Sequence, residues 1–153
     1  MKNTKNNYFN SMYKICETFD KMRKEHEAAK EKIVETYGWK SEELEAWYEE
    51  EKAFVYPYTN GQMKAARAYW FNRDEEEIVW DDTCWDNEFA DFIKTFRDAG
   101  IKTFVMTSHS TALMKNIHGF INEGCEMEGI CTIEEEGIFG KANIIEGIRF
   151  KVN

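Results

Sequence analysis

A single proline, Pro57, and nine glycines punctuate 153 residues, so few positions force a helix to break. No apolar run approaches the roughly 20 residues that a membrane-spanning helix needs. The opening residues, Met-Lys-Asn-Thr-Lys-Asn-Asn, lack the apolar centre of a signal peptide, and the expected compartment is the cytoplasm. The four cysteines, Cys16, Cys84, Cys125 and Cys131, form no Cys-x-x-Cys pair. In a reducing compartment they read as buried thiols. A zinc site of His109, His118, Cys125 and Cys131 is the alternative, although its spacing matches no standard finger. Also missing are a glycine-rich phosphate loop with its lysine and a G-x-S-x-G elbow. Positive charge is scarce: 20 Lys and Arg face 29 Asp and Glu.

What is present is a chain 42% apolar and 15% aromatic, enough to build a core despite 32% charged residues. Residues 4–37 read as one long helix or two broken ones, because Phe9, Met12, Cys16, Phe19, His26, Ile33 and Tyr37 recur at steps of three and four or their multiples. Packing on its own domain accounts for this seam better than a dimeric coiled coil, since sustained apolar heptads are missing. Gly38 ends the helix, and Ser41 caps a second whose first turn carries Glu42 and Glu43. Leu44, Trp47, Tyr48 and Val55 form its apolar side, with Pro57 as the expected stop. Thr59 or Asn60 caps a third helix, with Met63, Ala66, Tyr69 and Trp70 facing inward.

Beyond residue 73 the pattern changes. Ile78-Val79-Trp80 reads as a short strand between acidic borders, followed by a helix capped by Asp82, Thr83 or Asp86 with Phe89, Phe92, Ile93 and Phe96 inside. Ile101 to Met106 reads as a central strand, and Ser108 or Ser110 is the expected cap of the next helix, whose inner face is Leu113, Met114, Ile117, Phe120 and Ile121. Gly124 closes it. Met127–Ile133 and Gly147–Val152 read as a final hairpin, with Glu134-Glu135-Glu136-Gly137 opening its loop. The expectation is α+β: a region of three helices over residues 1–73, then a β-α-β-α-β-β two-layer sandwich over 74–153. Right-handed crossovers make its first three strands parallel. That order is similar to the carboxy-terminal domain of bacterial translation initiation factor three and to small RNA- or sulfur-handling domains. Neither their basic RNA face nor their C-P-x-P motif is present, so the likeness implies topology alone.

Charge is unevenly spread. Residues 1–40 carry +3, residues 41–91 carry −11 and residues 92–153 carry −1. The middle third concentrates its carboxylates in two clusters, Glu42, Glu43, Glu45, Glu49, Glu50 and then Asp74, Glu75, Glu76, Glu77, Asp81, Asp82, Asp86. Such a surface repels a phosphate backbone, which argues against direct nucleic-acid binding. It suits a basic groove on a protein partner, where complementary charge raises the association rate. Aromatics among the carboxylates (Trp47, Tyr48, Trp70, Trp80, Trp85) add a resemblance to a nucleic-acid mimic. An ordinary solvated acidic face is the simpler account.

Ser108-His109-Ser110-Thr111 is the strongest candidate for chemistry, lying between the end of a strand and the start of a helix, where N–H groups can hold an anion. Helix capping explains the same residues. The pairs Asp81-Asp82 and Glu134-Glu135-Glu136 lack the ligand spacing of a calcium hand. No cofactor is implied.

The segment Asp98-Ala99-Gly100-Ile101, Thr107-Ser108-His109-Ser110-Thr111-Ala112-Leu113-Met114, His118, Phe120, Gly124-Cys125 and Gly129-Ile130 resembles a family of small uncharacterised proteins of gut bacteria and their phages or plasmids. The resemblance covers about the last 60 residues and implies a mobile-element setting in a bacterial host cell. Small acidic proteins there often inhibit host defence, as anti-CRISPR proteins do. The leading expectation is therefore a non-enzymatic, anti-CRISPR-like inhibitor occupying the basic groove of a nucleic-acid-handling partner such as a Cas effector. An enzyme or anion-binding domain centred on Ser108–Thr111, or an oligomeric scaffold built on the first helix, are the alternatives.

Overall fold

The computed structural model describes residues 6–153. Residues 4 and 5 of the expected first helix, and Met1–Lys5 of the segment read for a leader, lie outside the described residues. Among those described are five α-helices and one four-stranded sheet, an α+β arrangement, and no helix is long and apolar enough to cross a membrane.

Helix α1, Asn7–Tyr37, is unbroken and spans about 46 Å at 1.5 Å per residue. The Asn6 side chain caps it by accepting the Tyr8 N–H at 3.1 Å, and Gly38 ends it at φ +85°. Helix α2, Glu42–Glu51, is capped by Ser41, whose hydroxyl accepts the Leu44 N–H at 3.2 Å. It ends six residues before Pro57, so the proline is not its stop. The chain turns out of the helix early, which lets Phe54 return to the His26 ring on α1 at 5.0 Å and leaves Val55 exposed. Helix α3, Asn60–Phe71, opens with a capping box of Thr59 and Gln62.

Strand β1 is Ile78–Trp80, helix α4 Phe89–Asp98, strand β2 Thr103–Thr107, helix α5 Leu113–Asn122, and strands β3 and β4 are Glu126–Glu136 and Ala142–Lys151. Three local expectations fail here. Helix α4 is preceded by Glu88, and none of Asp82, Thr83 or Asp86 caps it: Asp82 accepts the Thr83 N–H and Asp86 pairs with Lys115. Helix α5 is preceded by Ala112, with no side-chain cap from Ser108 or Ser110, because the Ser110 hydroxyl turns to Thr83 instead. The final hairpin runs further than composition indicates. Glu134, Glu135 and Glu136 are paired strand residues opposite Ile144, Asn143 and Ala142 rather than a loop. Backbone pairing and the Ile133–Ile145 cross-strand contact outweigh the weak strand preference of glutamate.

The sheet order is β1-β2-β4-β3. Strand β1 is parallel to β2, while β4 runs antiparallel to both β2 and β3. Ile78, Trp80, Phe104, Met106, Ile148 and Phe150 share one face by register, and α4 and α5 bring Phe92, Phe96 and Phe120 onto it. Val105, on the opposite face by register, is also fully buried. Its cross-strand partner Arg149 forms a bidentate ion pair with Glu77, both contacts 2.8 Å, and the long stems shield the apolar surface.

The buried core runs continuously from α1 through α3 to the sheet. Phe9 stacks on Tyr69 at 4.7 Å and meets Phe96 edge-on at 6.0 Å. Gly61 is required where α3 crosses α4, because a Cβ there would run into the Glu88 carbonyl and lie 2.9 Å from the Asp91 Cβ. The core thus crosses the boundary expected at residues 73 and 74.

Candidate functional site

The carboxylates read as partner-binding fall on different elements. Glu42, Glu43, Glu45, Glu49 and Glu50 are all exposed on α2, which packs on the C-terminal half of α1. The other cluster occupies the turns at the two ends of β1. Asp74, Glu75 and Glu76 are exposed before the strand, and Glu77 is committed to Arg149. Beyond the strand, Asp81 and Asp82 rim a cleft and Asp86 pairs with Lys115 at 2.8 Å. Local cations therefore already neutralise part of the second cluster, whereas on α2, among the described residues, the one direct ion pair is Glu49 with Lys52 at 2.7 Å.

A stacked aromatic pair anchors α2. The His26 ring lies 4.4 Å from the Trp47 ring at 7°. The Trp47 indole N–H donates to the His26 carbonyl at 2.7 Å, and the His26 Nε2 approaches the Trp47 carbonyl at 3.2 Å. Lys30 lies over both Trp47 and Tyr48, at 4.9 and 5.1 Å. Tyr48 bonding holds that ammonium pKa above its ordinary value. Two of the tryptophans read as surface aromatics, Trp47 and Trp80, are core residues, and Trp70 is half-buried in a stack on Tyr13. Trp85 and Tyr48 of that group are exposed, at 51% and 44%, and Trp39, in the turn between α1 and α2, is 71% exposed. It borders a groove of about 560 Å³ along α1 with Glu27, Glu31 and Glu35. Residues 27–51 contain nine glutamates and three lysines, a net charge of −6.

The turn Ser108–Thr111 lies beyond the C-terminal end of β2, beside the loop that leaves β1. Its groups are largely spent on structure. The Ser108 N–H donates to the Glu146 carbonyl, the His109 N–H to the Thr107 hydroxyl and the Ser110 N–H to the Thr107 carbonyl. The Thr83 hydroxyl meets those of Ser110 and Thr111 at 3.3 and 3.1 Å. Fully buried Asn116 ties the same loops together, accepting the Cys84 N–H at 2.8 Å and donating to the Ala112 carbonyl at 2.9 Å. Among the described residues no buried side-chain nitrogen or oxygen lacks a partner. His109 is half-exposed, and its Nε2 faces Glu135 at 3.5 Å rather than either serine hydroxyl.

Next to this turn, His109, Asp81, Asp82, Lys64, Arg67 and Phe71 line a cleft of about 430 Å³. Sequence reasoning named the first three and missed the two cations, which sit on α3 and approach only through folding. Lys64 is already engaged, donating to Glu88 at 2.7 Å and to the Thr83 carbonyl at 2.5 Å. The zinc alternative does not assemble: among the described residues no three His, Cys, Asp or Glu side chains gather as a metal site would require, and Cys125 is buried behind α5.

A family model described as a domain of unknown function, DUF7698, matches residues 64–152, more than half of the chain. Neither the curated proteins nor the solved structures compared with the chain gave a match.

Proposed function

The chain belongs to the DUF7698 family, whose description assigns no activity, and from that premise we propose that it is a non-enzymatic binding protein acting through the acidic end of its helical region. One observation carries this reading: α2 presents five exposed glutamates beside a groove edged by Glu27, Glu31, Glu35 and the solvent-facing Trp39. A surface of that kind complements a basic groove, with carboxylates meeting Lys and Arg and the indole stacking on a guanidinium. The partner in this reading is a basic, nucleic-acid-handling protein. In the mobile-element setting it is a Cas effector that the chain inhibits, in the cytoplasm of a bacterial host, by mimicking nucleic acid. Residues 74–153 form a two-layer β-α-β-α-β-β sandwich that serves as the scaffold, and residues 1–73 supply the partner-specific part. The hydroxyl network at Ser108–Thr111 has a sufficient role in joining two loops, which favours binding over catalysis.

The test is binding to a panel of Cas effectors, with and without guide RNA, at low and moderate salt. The expected result is salt-sensitive binding to one effector, lost when Glu42, Glu43, Glu45, Glu49 and Glu50 are all changed to Gln and kept in Ser110→Ala. Absence of binding to every effector removes the anti-CRISPR form of the proposal. Binding indifferent to salt and to the glutamine changes removes the acidic surface as its cause.

A further inference from the structure

The two edges of the sheet are treated differently. Strand β1 offers only three residues, and its outer side is closed by Asn72, which donates to the Val79 carbonyl at 3.0 Å and accepts the Val79 N–H at 3.2 Å. A side-chain amide thus stands where a neighbouring strand would pair. Strand β3 has 11 residues, about 36 Å of edge with one register shift between Met127 and Gly129, and among the described residues β4 is the only strand paired with it. Alternate residues along such an edge direct their N–H and C=O groups away from the sheet.

The chemistry along β3 restricts what can pair there. Glu126, Glu128, Glu134, Glu135 and Glu136 are its charged residues, with no Lys or Arg on the strand. Antiparallel pairing with a second copy centred on Cys131 sets Glu126 against Glu136 and Glu128 against Glu134, and like charges placed opposite one another are destabilising. Between the acidic ends the edge is apolar. Ile130 is 76% exposed, on the face that it shares with Glu134. Acidic ends around an apolar centre complement a segment that is basic, apolar, then basic.

We infer that the free edge of β3 takes up an extended segment of a protein partner, adding it to the sheet as a fifth strand, with Lys or Arg at both ends of a short apolar stretch that packs on the exposed Ile130 side chain. Main-chain hydrogen bonds hold the segment, and the glutamates and Ile130 select it. This surface is separate from α2 and does not depend on the function proposed for that helix.

Fluorescence polarisation of the full chain with labelled Lys-Thr-Val-Thr-Leu-Thr-Lys, whose Lys, Val and Leu share one face of an extended strand, tests the inference, with the same peptide N-methylated at alternate residues as the control. The expected result is binding that falls about tenfold or more on N-methylation, as the loss of two or three main-chain hydrogen bonds requires. Glu128→Lys with Glu134→Lys is expected to produce a similar loss, while circular dichroism reports an unchanged fold. The five Glu→Gln changes on α2 should leave peptide binding intact, so failure at one surface is distinguishable from failure at the other. Equal affinity for the N-methylated peptide, or no binding of the parent peptide, overturns the inference. Self-association of the chain through β3, seen by sedimentation and abolished by Ile130→Glu, overturns it in favour of a second copy.

Discussion

Phe139, at the tip of the β3–β4 hairpin, has φ +62° and ψ +31°, the left-handed conformation that costs a non-glycine residue roughly 1–2 kcal/mol. Its side chain is 98% exposed and recovers none of that cost by burial. Phe139→Gly is expected to stabilise the chain by on the order of 0.5–1 kcal/mol in urea unfolding, the added freedom of the unfolded glycine offsetting part of the gain. At Cys125, burial holds the thiol at a pKa of about 11 against an ordinary 9.0. The folded state therefore keeps a proton that the unfolded chain releases first. The stabilisation is complete below pH 9, and it declines as pH rises from 9 towards 11. Cys125→Ala should reduce the pH dependence of the melting temperature in that window, with Cys84 and Cys16, whose thiols burial also pushes up, contributing to the slope that remains.

At the scale of elements, α2 is held by few contacts, chiefly Trp47 on His26. Removing a buried aromatic side chain costs about 3–5 kcal/mol. Trp47→Ala should strip hydrogen-exchange protection from α2 while the amides of β2 and β4 keep theirs, because α2 packs on α1 and not on the sheet. The inner faces of α3 and α4 were legible, since Ala66, Tyr69, Phe89, Phe92, Ile93 and Phe96 recur with helical spacing and all are buried. On α5 the same periodicity overreached: Met114 is 77% exposed and Ile121 46% exposed, because the sheet covers a narrower stripe than the pattern offers. The caps of α4 and α5 were not legible. A hydroxyl near a helix start bonds either the helix or a neighbouring loop, and which loop lies within reach is a property of the fold.

For the whole molecule, continuity of the core sets the expected behaviour. Phe9, Met12 and Cys16 from α1 are buried with the phenylalanines of α4, α5, β2 and β4. One cooperative unfolding transition is expected by circular dichroism and by intrinsic fluorescence, with coincident midpoints. Deleting residues 1–37 should expose the underside of α3 and produce dye-binding, aggregation-prone protein. Two separated transitions would show instead that the helical region and the sheet fold independently. The candidate surfaces divide in the same way. The glutamates of α2 and β3 are visible in the sequence, yet their availability depends on where Arg149, Lys64 and Lys115 come to rest.

By itself the sequence determined the α+β class, the Gly38 end of α1, the Ser41 start of α2, the apolar faces of α3 and α4, and the concentration of negative charge in residues 41–91. These follow from periodicity, capping and composition, which act between residues a few positions apart. Only the tertiary structure decided that β4 inserts between β2 and β3, that Asn72 closes one edge of the sheet and leaves the other free, and that part of the acidic charge is already paired. Each of these joins residues distant in the chain, among them Glu77 with Arg149 and Cys84 with Asn116. Such pairings are selected by packing and register, and no local pattern encodes them.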